Sequence, residues 1–172
     1  MPGSAPARSA AFNGTSEGTV YARIRACAER ANPAAAGAAA HPAQVLSKAT
    51  VVVDAAAEEA SAKTRLSPGQ QVVFTALSGE WATHPTAPMV SPLVGDPRFP
   101  PSKIRGEESP CALMRLMVRI GKAPPVPVTL DTPYTGEGNV MLFAQDSLLS
   151  DNVGAVTATL EVRRSTEHPP GR

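Results

Sequence analysis

Eleven of the chain's 18 prolines fall between residues 85 and 133. Proline fixes φ and has no backbone N–H, so a stretch this rich in it excludes long helices and central-strand ladders. Most of that span is therefore expected to be loop. One proline-free window stands out, Leu113–Ile120 (LMRLMVRI). Met114, Leu116, Val118 and Ile120 alternate with Leu113, Arg115, Met117 and Arg119. The first set is wholly apolar, so the window reads as a strand with one face on a core. Gly121 and the prolines after it end the strand.

The same β texture recurs on both sides. Val51-Val52-Val53 is a β-branched run. Ser67-Pro68-Gly69-Gln70 is a turn, because Pro presets φ and Gly supplies positive φ. Gln71–Leu77 follows it as a strand. Val126–Leu130, Asn139–Ala144 and Ala155–Arg163 are further strands. The last places Val156, Ala158, Leu160 and Val162 inward, against Thr157, Thr159, Glu161 and Arg163 outward. Short strands between turn and proline signals predict an all-β protein, a small β-sandwich of galactose-binding-domain or jelly-roll-like form.

Composition divides the chain. The hydrophobic fraction is 42%, but 29 residues are alanine and 21 of those lie in the first 62 positions. Alanine buries little surface, so the apolar mass for a core lies after residue 65. Residues 1–47 read as an alanine-rich leader and linker, 48–164 as the sandwich and 165–172 as a disordered tail. Within the leader, residues 17–31 space Val20, Ile24, Cys27/Ala28 and Ala31 as on a helix. Ser16 or Thr15 is placed to cap it, and Asn32-Pro33 to end it. A length of 172 residues suits one such domain plus tails.

Several function classes are excluded. No run approaches the roughly 18–20 apolar residues of a membrane span. Net charge is +1, with five Lys/Arg and two Asp/Glu in residues 1–50 against eleven and thirteen in 51–172. Neither half makes an electrostatic case for nucleic acid. Two cysteines cannot build a disulfide-rich scaffold; Cys27 and Cys111 are free thiols by default, with a disulfide between them the alternative. The N-terminus lacks the apolar stretch of a secretory signal, so the Asn13-Gly14-Thr15 sequon carries no weight. Localisation is expected to be cytoplasmic, or exported without a cleaved signal.

The segment Phe143–Gly154 carries the chemistry. Two expected strands flank it, and within seven residues it holds two carboxylates and one side-chain carbonyl, those of Asp146, Asp151 and Asn152. Calcium takes about 6–8 oxygens from carboxylates, amide carbonyls and backbone carbonyls together. Ser150 is placed to add a backbone carbonyl. The spacing is not that of an EF-hand. Asp and Asn in loops also make local turns with their own backbone, and spacing alone leaves both readings open.

The ordered set Ser67-Pro68-Gly69-Gln70, Phe74, Gly79-Glu80-Trp81, Gly95-Asp96-Pro97, Leu116–Gly121 and Gln145-Asp146…Ser150-Asp151-Asn152-x-Gly154 resembles the PA-I-type galactophilic lectin domain. That family is a bacterial calcium-dependent sugar-binding β-sandwich, and the resemblance covers roughly residues 50–164. It implies a bound Ca2+ whose open positions take a sugar's vicinal hydroxyls. By the same resemblance Asp146, Asp151 and Asn152 look like side-chain ligands, and Ser150 and His84 like backbone-carbonyl ligands. The family's sugar-selecting loop corresponds to Gly95–Ser102. Galactose-binding members have histidine and glutamine where this chain has Phe99 and Ser102. The sugar-binding set it implies is Asp146, Asp151, Phe99 and Ser102. The family's asparagine before the first aspartate is Gln145 here, and its serine after Asn152 is Val153.

The expected function is calcium-dependent carbohydrate binding, with a glycan, galactoside-like or other, as partner and a homo-oligomer as a further expectation. The alternative is a non-catalytic interaction module that has lost sugar binding. No nucleophile–base arrangement, phosphate-cradling loop or catalytic acid pair is present, so no enzyme is expected. His84 lacks nearby His or Cys partners and is left the backbone role or a surface place; His41 and His168 are assigned none. Trp81 reads as core or loop anchor, with a sugar platform as the alternative. Cys111 reads as a small buried apolar residue.

Overall fold

The structure, a computed structural model, describes residues 44–99 and 111–165, with the backbone of 103–104 and 107–108 between them. The expected leader helix over 17–31, Cys27, His41, Ser102 and His168 lie outside the described residues. Among the described residues ten strands follow in order: β1 (Val45–Asp54), β2 (Ala60–Leu66), β3 (Gln70–Ala82), β4 (Lys103–Ile104), β5 (Glu107–Glu108), β6 (Leu116–Ile120), β7 (Val126–Pro127), β8 (Pro133–Thr135), β9 (Gly138–Ala144) and β10 (Val153–Arg164). They form one four-stranded sheet of order β1-β10-β3-β8, a second of order β2-β9-β6-β7, and a small β4-β5 ribbon. Strand pairing within each sheet is antiparallel. Among the described residues there is no helix, and so none long and apolar enough to cross a membrane.

The two larger sheets share one core. Val53, Phe74, Val156 and Leu160 from the first sheet and Leu66, Leu116, Val118 and Leu142 from the second are all at most 1% exposed. The alternation read in β10 holds, since Val156, Ala158, Leu160 and Val162 are buried. Two sheets each with one apolar face have this as their stable solution, a sandwich. Glu161, on the opposite face, is also nearly covered: Lys48 reaches it from β1 at 2.7 Å and Arg163 lies along its own strand.

Two expected strands are shorter than expected, and one observed strand was not expected. The strand read at 113–120 begins only at Leu116. Met114 is fully buried but sits at φ 59°, because its N–H donates to the Gln145 carbonyl while its own carbonyl accepts from the Trp81 indole. The strand read at 126–130 shrinks to Val126–Pro127, since Pro124, Pro125 and Pro127 bring no N–H to a ladder. β2 has no counterpart in the sequence reading. Its residues ASAKTRL have little strand preference, and its pairing with β9 supplies what local propensity lacks.

Trp81 is core, not a sugar platform. It is fully buried and donates from Nε1 to the Met114 carbonyl at 2.7 Å. Cys111 is buried as expected but is disulfide-bonded, which overturns the default of a free thiol.

Candidate functional site

The β9–β10 connection carries the acidic segment, and its two ends are fixed differently. At the β9 end, Gln145 is locked on three sides. Its N–H donates to the Arg115 carbonyl at 2.9 Å, its carbonyl accepts from Met114 at 2.9 Å, and its side chain donates to the Cys111 carbonyl at 3.0 Å. Gln145 is thus a strand-end anchor, and its amide is committed to the backbone.

Asp146 follows, 5% exposed. Its Oδ1 accepts the Leu148 N–H at 3.0 Å, the local turn that the residue type favours. Leu148, 59% exposed, stands outward on that turn.

At the β10 end, Asn152 is 6% exposed and donates from Nδ2 to the Ala55 carbonyl at 3.1 Å, in the connection between β1 and β2. A carbonyl only accepts, so this bond settles which end of the amide faces Ala55. Asn152 Oδ1 faces elsewhere, is buried and has no hydrogen-bond partner. Asp151 Oδ1 is buried and unpartnered as well. Buried oxygen acceptors without partners are uncommon in folded proteins, because each forfeits its hydration without replacement. Two on adjacent residues form a set of hard oxygen donors with free lone pairs. Ser150, exposed at the turn before them, adds a backbone carbonyl to the same loop.

The register of β10 on β3 brings the segment after Trp81 alongside. Val153 pairs with Ala82 and Gly154 with Trp81, so Thr83 and His84 follow the end of β3 where Asn152 and Asp151 precede the start of β10. His84 is exposed. Its carbonyl accepts the Ala87 N–H at 2.9 Å, and its Nδ1 accepts the Thr86 N–H at 3.2 Å. Nδ1 also lies 3.0 Å from the Thr86 hydroxyl. The imidazole is thus held to its own turn, while the carbonyl keeps one lone pair.

Phe99 lies in the loop of residues 95–99. Asp96 N–H donates to the Leu113 carbonyl at 2.6 Å, and the next residue, Met114, donates to Gln145, so this loop is tied to the start of the acidic segment. Asp96 is 1% exposed and accepts from Arg98 through its backbone N–H at 3.0 Å, its Nε at 2.9 Å and its Nη2. The Arg98 guanidinium bonded to it holds the Asp96 carboxyl below its ordinary value, against the opposing effect of burial. Arg98 also reaches over the Phe99 ring, 5.7 Å from its centroid, and the ring remains 44% exposed.

Among the described residues, no group of three or more His, Cys, Asp or Glu is arranged to hold a metal ion. The oxygens this loop offers are two carboxylates, one side-chain amide oxygen and backbone carbonyls, hard donors of the kind calcium takes and zinc or another soft metal does not favour. The sequence marked Asp146, Asp151 and Asn152, which lie in the one β9–β10 connection, and His84, which lies just past the end of β3. It did not mark Ala55. An alanine between two alanines carries no chemical signal, and only its backbone carbonyl takes part.

No protein-family model matches the chain, and no curated protein matches it. Among solved structures it is similar to the EclA N-terminal domain, described as a PllA-like lectin. The TM-score is 0.47 and the identity 23%, over 71% of this chain and 98% of that one.

Proposed function

We propose that the chain is a calcium-dependent carbohydrate-binding protein, with the ion held by the 146–152 loop. The observation that carries this reading is the pair of buried, unpartnered oxygens, Asp151 Oδ1 and Asn152 Oδ1. Each is an unsatisfied acceptor in the protein alone, and a hard cation is the partner that satisfies both at once. Asp146, Ser150 and the His84 carbonyl complete the donor set that the sequence resemblance implies. When bound, the ion supplies open coordination positions for two vicinal sugar hydroxyls. The chain's own residues orient the oxygens, and the carboxylates of Asp146 and Asp151 accept the hydroxyl protons. Phe99, half-exposed in a neighbouring loop, offers an apolar face to a sugar ring. Ser102 takes its place in the proposal from the sequence resemblance alone.

The Cys111 disulfide bears on compartment. The cytoplasm keeps thiols reduced, so a disulfide supports export over cytoplasmic residence.

The test is a thermal melt and a glycan-array binding assay, each with calcium and with EDTA. Calcium is expected to raise the melting temperature and to be required for glycan capture. An unmoved melting curve at saturating calcium overturns the calcium site. Stabilisation by calcium with no glycan bound under any condition favours the interaction-module reading instead.

A further inference from the structure

The outer face of the β2-β9-β6 sheet carries a cleft of about 740 Å³ at the end remote from the acidic loop. β9 runs from Gly138 through Met141 in the cleft to Ala144 at the loop, which at about 3.3 Å per residue puts the cleft roughly 10–20 Å from the loop.

The cleft is cut by strand register. Two rows of residues cross this face. One is Ser61, Met141 and Arg119; the next is Arg65, Asn139 and Gly121. The second row ends on a residue with no side chain, which leaves a gap beside Asn139. The gap is enforced: Gly121 sits at φ 57°, and a Cβ on it would lie 2.1 Å from the Glu137 carbonyl oxygen. Backbone therefore forms part of the floor, and charged side chains form the walls.

The charges do not cancel in place. Arg119 is taken up by Glu59. Arg65, Lys122 and Glu137 line the same cleft, yet none of them makes an ion pair among the described residues. Two uncommitted cations call for an anionic group, carboxylate or sulfate, which guanidinium and ammonium bind by charge-assisted hydrogen bonds. An uncommitted carboxylate in the same cleft is unfavourable for a bare anion. It is suited to a ligand that also brings hydroxyl donors, and Asn139 adds an amide that both donates and accepts. The volume lies within the range of small-molecule sites and accommodates a disaccharide.

We propose that this cleft is a second, calcium-independent site for an acidic saccharide, its anionic group between Arg65 and Lys122 and its hydroxyls on Glu137 and Asn139. The proposal does not depend on the calcium loop.

The experiment is titration calorimetry in EDTA with a glucuronate-containing hyaluronan disaccharide, a sulfated chondroitin disaccharide and neutral lactose, paired with amide chemical-shift mapping. At least one acidic disaccharide is expected to bind and lactose is not. Arg65→Ala and Lys122→Ala are each expected to weaken binding about tenfold. Asp151→Asn is expected to leave it unchanged. Shifts are expected at Gly121, Gly138 and Asn139. Both substituted side chains are exposed, so unchanged melting temperatures will confirm that the variants fold. Binding of neither acidic disaccharide, equal binding of lactose, binding indifferent to both substitutions, or shifts confined to residues 146–152 overturns the proposal.

Discussion

Asn152 donates its side-chain N–H to the Ala55 carbonyl at 3.1 Å, and this bond ties the acidic loop of one sheet connection to the turn of another. The residues are 97 positions apart in sequence. The bond orients the amide, and its oxygen is left buried without a partner. Replacing Asn152 with Asp sets an acceptor against the Ala55 carbonyl. In EDTA, Asn152→Asp is expected to lower stability by about 1–3 kcal/mol, the usual cost of an unsatisfied buried polar group. Urea denaturation followed by tryptophan fluorescence checks it.

Asp151 is expected to behave in the opposite way. Its Oδ1 is buried and unpartnered, so the protein alone gains nothing from that oxygen. Asp151→Asn in EDTA is expected to leave the melting temperature unchanged or to raise it. In the parent protein, calcium at a hundred times its Kd is expected to add about 2.7 kcal/mol, a rise of roughly 5–10 °C for a chain of this size. That rise is expected to vanish in Asp151→Asn. A full calcium shift retained by the variant removes Asp151 from the ligand set.

The Asp96–Arg98 pair sets an acid sensitivity. Hydrogen bonding from the Arg98 side chain holds the folded-state carboxyl of Asp96 below 3.8, its ordinary value. A carboxyl depressed on folding contributes stability that is fully present above the unfolded pKa and is lost as pH falls through the folded one. The loss therefore lies below about pH 4. Asp96→Asn is expected to be less stable than the parent at pH 7, with a smaller drop in urea midpoint between pH 5 and pH 3. Equal drops in the two proteins would remove Asp96 from the acid response.

Trp81 joins the core to the site. Its ring is buried and its Nε1 donates to Met114, whose own N–H donates to Gln145 at the head of the acidic loop. Trp81→Phe removes ring volume and leaves the Met114 carbonyl without that donor. The expected cost is about 2–4 kcal/mol, from lost packing and a lost buried hydrogen bond together. Calorimetric melting, which needs no tryptophan signal, measures it.

Cys111 is expected to resist alkylation in the unfolded, unreduced chain and to react after reduction. Peptide mass spectrometry distinguishes the two states. Labelling before reduction would return Cys111 to a free thiol and withdraw its support for export.

The sandwich was legible wherever hydrophobic alternation was long. The sequence marks β10 nearly to its ends, because Val156, Ala158, Leu160 and Val162 at a period of two admit one arrangement against a core; it also marks most of β9 and the first half of β3. The reading failed where pairing outweighs composition. β2 is made mostly of residues with little strand preference, and Met114 leaves the ladder although its apolar side chain fits the pattern. Tertiary hydrogen bonds to Gln145 and Trp81 hold that residue in its turn.

The candidate site divides the same way. Sequence alone determined which residues bring oxygen to the loop: Asp146, Asp151 and Asn152, between two strands that hold its ends. It determined as well that prolines would leave the span from 85 to 133 mostly loop. Only the tertiary structure decided which of those oxygens stay uncommitted. Asp146 Oδ1 caps its own turn, Gln145 is bound to the Cys111 carbonyl, and Asn152 is turned by a carbonyl from a distant connection. Likewise Arg65, Lys122 and Glu137 are ordinary surface residues in the chain, and sheet register gathers them around the space above Gly121. Donor identity is a local property of the chain. Whether a lone pair is spent or free depends on what the fold places within 3 Å of it.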